Sequence, residues 1–257
     1  MERILAASRR ESRVHGLLIV DKPGEPALHA PQACLHPPTS HDVIQMVRRW
    51  SGQRRIGHTG TLDPMASGVL VLCLGHATRL VEYYQSHDKQ YYAEVALGAA
   101  TDTYDAAGVV IAEAPVPLFD RQRLDSVLNQ FRGEIMQTPP AYSAIKQQGE
   151  ALYRKARRGD AVQIEPRRVA TRRLDVLTYE PGQRIGLRVV CSAGAYMRSL
   201  AHDIGLALGS YAHLAVLRRE AAGPFTLDEA HTLEAVAAAT EAGELASLLR
   251  PLGYGLN

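Results

Sequence analysis

Apolar positions along the chain fall into short, separated stretches with two different periods. Val14 to Val20 is an apolar run halted by Asp21-Lys22-Pro23-Gly24, which predicts a buried strand running into a turn. Val69 to Leu74 is a second run of the same kind. From Gln90 to Leu97 the pattern alternates, with Tyr91, Ala93, Val95 and Leu97 on one face, and Ile185, Leu187, Val189 and Cys191 alternate likewise. Both segments read as half-buried strands. Helical spacing appears elsewhere. Val43, Val47 and Trp50 follow Thr39, whose side chain can cap a helix with Asp42 answering three residues on, and Ser51-Gly52 closes it. Asp120 can cap a stripe of Leu124, Val127, Leu128 and Phe131, and Met197, Leu200, Ala201, Ile204 and Leu208 make another that Gly209 ends. The segment from Thr226 to Leu249 is rich in Ala and reads as helix, with Thr226 and Glu229 as its capping box. Gly24 to Pro38 holds Pro26, Pro31, Pro37 and Pro38 without a period and predicts a loop. Strands and helices of unequal length, with no βα alternation and no internal repeat, predict an α+β fold on a mixed, mostly antiparallel sheet flanked by helices.

Composition narrows the classes of function. At 257 residues the chain can bury a sizeable core as one large domain or as a domain with a small appendage. Hydrophobic content of 46% and charge of 22% are ordinary for a globular protein, and the longest apolar run is too short to span a bilayer. Met1 to Arg13 mixes Arg and Glu without an apolar core or a small-residue cleavage site, so a cytoplasmic location is expected. Cys34, Cys73 and Cys191 lie far apart, and the ten His residues show no ligand spacing, so neither a disulfide framework nor a metal site is expected. Net charge is only +2, but its distribution is uneven. Lys146, Arg154, Lys155, Arg157, Arg158, Arg167, Arg168, Arg172 and Arg173 stand against Glu150, Asp160 and Glu165, with Tyr142 and Tyr153 nearby. This tract reads either as a solvated helical face or as a phosphate-contacting surface with aromatic stacking partners.

The densest punctuation is RRIGHTGTLDPMASGVLVLCLGHATRL, Arg54 to Leu80. Pro64 biases Asp63 away from helical geometry, and Gly57, Gly60 and Gly68 permit tight turns, so Asp63 can project from a turn into a cleft. An Asx-turn before proline explains the same residues equally well. No phosphate-loop pattern is present.

The segment GHTGTLDPMASGVL closely resembles the central motif of the TruB family of tRNA pseudouridine-55 synthases. Four further places share the resemblance: Val14 to Pro23 followed by TSHDV from Thr39; DKQYYAEVALG; PPAYSAIKQQGEALYRKARRG from Pro139 to Gly159; and CSAGAYMRSLAHDIG with HLAVLRRE from His213 to Glu220. The resemblance implies the pseudouridine synthase fold with a central active-site cleft over residues 1–225, an RNA-clamping segment at 139–160, and isomerisation of uridine 55 in the tRNA T-loop. It implies Asp63 as the catalytic carboxylate, Tyr91 as the active-site tyrosine and Arg198 as its basic partner. His58 would fill the gap left by the flipped base, Tyr196 would form a second aromatic wall, and Lys146, Arg154, Arg157 and Arg158 would hold the T-stem backbone. The reaction breaks the C1′–N1 bond, turns the base and rejoins it through C5, so no cofactor is expected. A carboxylate suits this as nucleophile or as proton acceptor, and Arg198 can hold Asp63 ionised. Extruding the uridine costs a few kcal/mol, which stacking on Tyr91 can offset.

Two departures from the family pattern stand out. Gly24 to Pro38 looks like an inserted surface loop, and residues 226–257 read as a short helical tail without a complete PUA-like domain. The expected partner is tRNA through its T-stem-loop, with no membrane and no obligate protein partner. The alternatives are the catalytic subunit of a guide-RNA pseudouridylation particle, a non-catalytic tRNA-folding chaperone, and a hydrolase using paired carboxylates at Asp102 and Asp105.

Overall fold

The computed structural model describes residues 14–24, 37–143, 146–147, 150–151, 158 and 164–255, with backbone only at 146–147 and 150–151. In chain order the elements are β1 (Gly16–Lys22), α1 (Ser40–Ser51), β2 (Ile56–His58), β3 (Ser67–Leu74), α2 (Val81–Gln85), β4 (Lys89–Leu97), β5 (Ala99–Thr101) and β6 (Val110–Glu113). There follow α3 (Arg121–Leu128), β7 (Gly133–Gln137), β8 (Lys146–Gln147), β9 (Glu150–Ala151), β10 (Arg167–Glu180) and β11 (Arg184–Cys191). The last are α4 (Met197–Ala207), β12 (Ala212–Ala222), β13 (Phe225–Thr226) and α5 (Leu233–Glu241). The fold is α+β, as expected, and β1 with β3, β2 with β3, β4 with β11, β10 with β11 and β7 with β10 pair antiparallel. The chain divides into two compact units, Met1–His87 with Arg219–Asn257, and Asp88–Arg218.

In the first unit β3 pairs with β1, placing Ile19 opposite Val71, and β2 joins β3 at Ile56 opposite Leu74. Every residue from Gly68 to Leu74 is buried, which explains why β3 reads as a continuous apolar run instead of an alternating one. Leu17, Ile19, Val69, Val71, Tyr84 and Phe225 form one cluster, and fully burying each such side chain contributes about 1.5–3 kcal/mol. Helix α1 starts at the predicted capping box of Thr39 and Asp42 and stops at Gly52, whose φ of 64° suits glycine. Two boundaries differ from expectation. Strand β1 continues through Asp21 and Lys22, because the Lys22 side chain is fully buried and bonded. Thr226 pairs with Ala221 in a strand instead of capping a helix, and the helix starts seven residues later, where Thr232 accepts from the Ala235 N–H.

In the second unit β4, β11, β10 and β7 follow one another in a sheet, with Tyr91 opposite Val189. Tyr91, Ala93 and Val95 are buried on one face of β4, as the alternation predicts, and α4 packs against this strand. Asp120 caps α3 through the Arg123 N–H, and Leu124, Val127 and Leu128 are buried beneath it. Arg167, Arg168, Arg172 and Arg173 stand on β10, so the basic tract does not form a helical face there. Cys73 and Cys191 are buried free thiols. No helix among the described residues is long and apolar enough to cross a membrane.

Candidate active site

Asp63 sits at a tight turn between β2 and β3, where its carbonyl accepts from the Ala66 N–H at 3.0 Å. Leu62 and Met65 on either side of Asp63-Pro64 are buried, while Asp63 itself is half-buried. Apolar anchors flanking a proline therefore fix the backbone on either side of the carboxylate. Helix α1 fixes the turn from one side. Ser40 Oγ accepts from the Leu62 N–H at 2.8 Å and donates to the Leu62 carbonyl at 3.1 Å.

Two cations that sequence reasoning assigned no role complete this support. The Lys22 ammonium, fully buried, donates to the carbonyls of Pro23 at 2.9 Å, Pro64 at 3.0 Å and Ala66 at 2.6 Å. Arg219, 2% exposed, donates from Nε to Val69 O at 2.7 Å and from its two terminal nitrogens to Gly60 O at 3.1 Å and Thr61 O at 3.4 Å. A buried cation is tolerated when its donors meet acceptors, and here four of those acceptors, the carbonyls of Gly60, Thr61, Pro64 and Ala66, belong to the Asp63 loop. Gly68 lets the chain pass: it has a φ of +103°, and a Cβ there would stand 2.2 Å from the Arg219 carbonyl.

His58 ends β2 and lies half-buried, and its Nδ1 accepts from the Gly60 N–H at 3.3 Å. Burial first, then the Arg219 and His41 charges, pushes its pKa below the usual histidine value. The neutral imidazole is therefore the form present at pH 7. An NMR titration of the His58 ring should give a midpoint below 6.5, and Arg219→Met should raise it toward that value. A midpoint above 6.5 in the parent protein would contradict this placement.

In the second unit Tyr91 is buried on β4, and Tyr196 stands immediately before α4. No side chain of the helix caps its start. Gln137 does so instead: its amide oxygen accepts from the Tyr196 N–H at 2.8 Å, and its amide nitrogen donates to Tyr196 O at 3.0 Å. Arg198 follows in the first turn, where the positive end of the helix dipole disfavours a cation. It is nonetheless buried. Its guanidinium donates to Thr103 O at 3.2 Å and Tyr142 O at 3.0 Å, and its Nε lies 3.7 Å from Asp105 Oδ2. Asp105 is held in turn, because its Oδ1 accepts from the Thr103 hydroxyl at 2.6 Å and the Ala107 N–H at 3.1 Å. Asp102 Oδ1 accepts from the Val109 N–H at 2.8 Å. Both carboxylates weighed for a hydrolase are thus engaged in shaping one loop, and Asp105 faces a cation. The Asp105–Arg198 and Gln137–Tyr196 contacts join residues far apart in sequence and carry no local signature.

Of the predicted RNA-contacting residues, Arg154 and Arg157 lie outside the described residues, as does the Lys146 side chain, and Arg158 is exposed at a turn. The inserted loop likewise falls outside them over 25–36. Farther along the tract, Arg168 pairs with Glu134 at 3.2 Å and Arg172 with Asp88 at 3.1 Å, while Arg173 pairs with Asp175. These exposed pairs contribute about 1 kcal/mol or less each, so this part of the tract is partly neutralised without being rigid. Among the described residues no group of three or more His, Cys, Asp and Glu side chains is arranged to hold a metal ion.

A buried Arg198 held by the carbonyls of Thr103 and Tyr142, and an Asp63 turn braced by Lys22, Arg219 and Ser40, stand on an α+β scaffold. The family described as "TruB family pseudouridylate synthase (N terminal domain)" matches residues 48–197, and "tRNA pseudouridylate synthase B C-terminal domain" matches 198–257. The chain belongs to the TruB family of pseudouridylate synthases, and is an enzyme of the isomerase class. A relative named tRNA pseudouridine synthase B from Symbiobacterium thermophilum is 50% identical over 208 residues, covering 79% of this chain and 70% of its own. The protein of that name from Stutzerimonas stutzeri is 42% identical over 246 residues, covering 95% and 76%. Among solved structures, a Cbf5-Nop10-Gar1 complex contains a chain 29% identical with a TM-score of 0.69, covering 94% of this chain and 61% of that one. An H/ACA RNP bound to a substrate RNA containing 2′-deoxyuridine contains one 27% identical with a TM-score of 0.67, at the same coverage. This chain thus spans 61% of the length of those structural neighbours.

Proposed function

We propose that this enzyme converts the T-loop uridine at position 55 of tRNA to pseudouridine, with Asp63 as the reactive carboxylate. The observation that supports this best is the Asp63 turn, in which Lys22, Arg219 and Ser40 fix the backbone on which the carboxylate is mounted. A carboxylate so mounted can attack the sugar or base or accept a proton. The C1′–N1 bond breaks, the base turns, C5 bonds to C1′, and the C5 proton leaves as N1 gains one. No external reductant, oxidant or energy source enters the balance, so the proposed reaction needs no cofactor. Tyr91 serves as the stacking partner of the extruded uridine, Tyr196 as a second aromatic wall and Arg198 as the cation that keeps the reactive carboxylate ionised. His58, neutral at pH 7, is suited to occupy the space of the flipped base without adding charge.

The working enzyme acts in the cytoplasm on the T-stem-loop, with no obligate protein partner. The structural likeness to H/ACA particle chains keeps a guide-RNA mode in view. Incubating the purified protein alone with an unmodified tRNA transcript separates the two. Pseudouridine confined to the T-loop uridine supports the proposal, and modification only upon adding a guide RNA favours the particle.

The clamp makes its own prediction. Phosphate contacts by Arg154, Arg157 and Arg158 release counterions, so replacing all three by Ala should flatten the salt dependence of tRNA binding by about 0.7–0.9 log units of slope per contact. Turnover at saturating tRNA should change less, because positioning energy is distinct from action at the bond being broken. Binding titrations at several salt concentrations check this, and an unchanged slope and affinity would return the tract to a solvated surface.

A further inference from the structure

Helix α4 carries Arg198 and His202 four residues apart, and therefore on one face. The loop Thr101–Gly108 meets both. Thr103 O and the Asp105 carboxylate face the Arg198 guanidinium, and Tyr104, between them, lays its ring flat on His202 with centroids 4.0 Å apart and planes 7° from parallel. Tyr104 is the single non-glycine residue with a left-handed backbone among the described residues, at a φ of 64°. For an ordinary residue that conformation is unfavourable and persists only where the surroundings over-determine it.

The surroundings here are specific. The Tyr104 N–H donates to Thr101 O at 3.2 Å, its carbonyl accepts from the Leu214 N–H at 3.0 Å, and the Ala106 N–H donates to Leu214 O at 2.9 Å. The last two bonds tie the loop to β12, and the ring stack ties Tyr104 to His202 on α4. Burial holds the His202 imidazole below its usual pKa, so two neutral rings face each other. The reversal at Tyr104 lets the carbonyl before it and the carboxylate after it converge on one guanidinium. We propose that Tyr104 and His202 are a positioning pair that sets Arg198 for the reaction, an inference that rests on the function proposed above.

The test uses the full chain and its tRNA. Tyr104→Gly removes the ring while keeping a residue that adopts positive φ without strain, so a change in activity reports the lost stack and not a distorted backbone. Its kcat should fall about tenfold, with KM for tRNA within about twofold, since displacing a catalytic group by 1 Å costs on the order of 100-fold and partial loosening less. His202→Ala should match it, whereas Tyr104→Phe and His202→Phe, which keep two rings, should retain parental kcat. The His202 pair decides the question if the Tyr104 variant does not fold. An unimpaired kcat in Tyr104→Gly and His202→Ala, an equal loss in the Phe variants, or a rise in KM alone would overturn the pair. An inactive parent protein would overturn the proposed function with it, while an active parent beside unimpaired variants overturns this inference alone.

Discussion

Replacing Asp63 by Asn is expected to lower pseudouridine formation by at least about 10³-fold, the scale on which loss of a nucleophile or general base is felt. The substitution is nearly isosteric and the side chain is half-buried at a turn whose backbone is held by other residues, so folding should be little altered. Affinity for tRNA should stay within about threefold, because phosphate contacts carry most of it. Single-turnover assays with excess enzyme separate the two quantities. Turnover within tenfold of the parent protein would remove Asp63 from the reaction.

Arg219→Met should carry the largest effect on stability. It leaves the carbonyls of Val69, Gly60 and Thr61 without their guanidinium donors inside the first unit. An orphaned buried acceptor costs about 1–3 kcal/mol, and relief of the buried charge together with local relaxation offsets part of the sum, so a loss of about 3 kcal/mol is expected. The same substitution loosens the Asp63 loop, and kcat should fall along with the urea midpoint. Arg219→Lys, which keeps a charge but not the fork of donors, should lie between. A midpoint unchanged by Arg219→Met would show that water satisfies those carbonyls.

Much of the scaffold is legible in the order of residue types, and the reasons are local. Thr39 and Asp42 cap α1 because both partners lie within one turn, and the face carrying Tyr91, Ala93 and Val95 on β4 shows because a strand has period 2. Where local signals compete, the reading drifts. Thr226 and Thr232 both precede helix-favouring residues, and pairing of Thr226 with Ala221 decides between them. The parts of the site that escaped reading are the buried cations and their acceptors. Lys22 reaches carbonyls 42 and 44 residues away and Arg219 reaches one 150 residues away, so nothing near either residue marks it as buried. A charged side chain after an apolar strand is most simply a solvated end. Asp105 illustrates the converse. Its neighbour Asp102 suggested a carboxylate pair, yet the acceptors of both are directed at backbone amides, a hydroxyl and a guanidinium.

The most direct test of the central claim follows the hydrogen on C5, which isomerisation must release. A tRNA transcript labelled with tritium at C5 of its uridines should lose one equivalent of label per molecule to water on incubation with the parent protein, with the pseudouridine mapping to the T-loop. The Asp63→Asn protein should release none over the same interval. Release from several positions, release by the Asn variant at the parental rate, or no release by the parent protein would contradict the account.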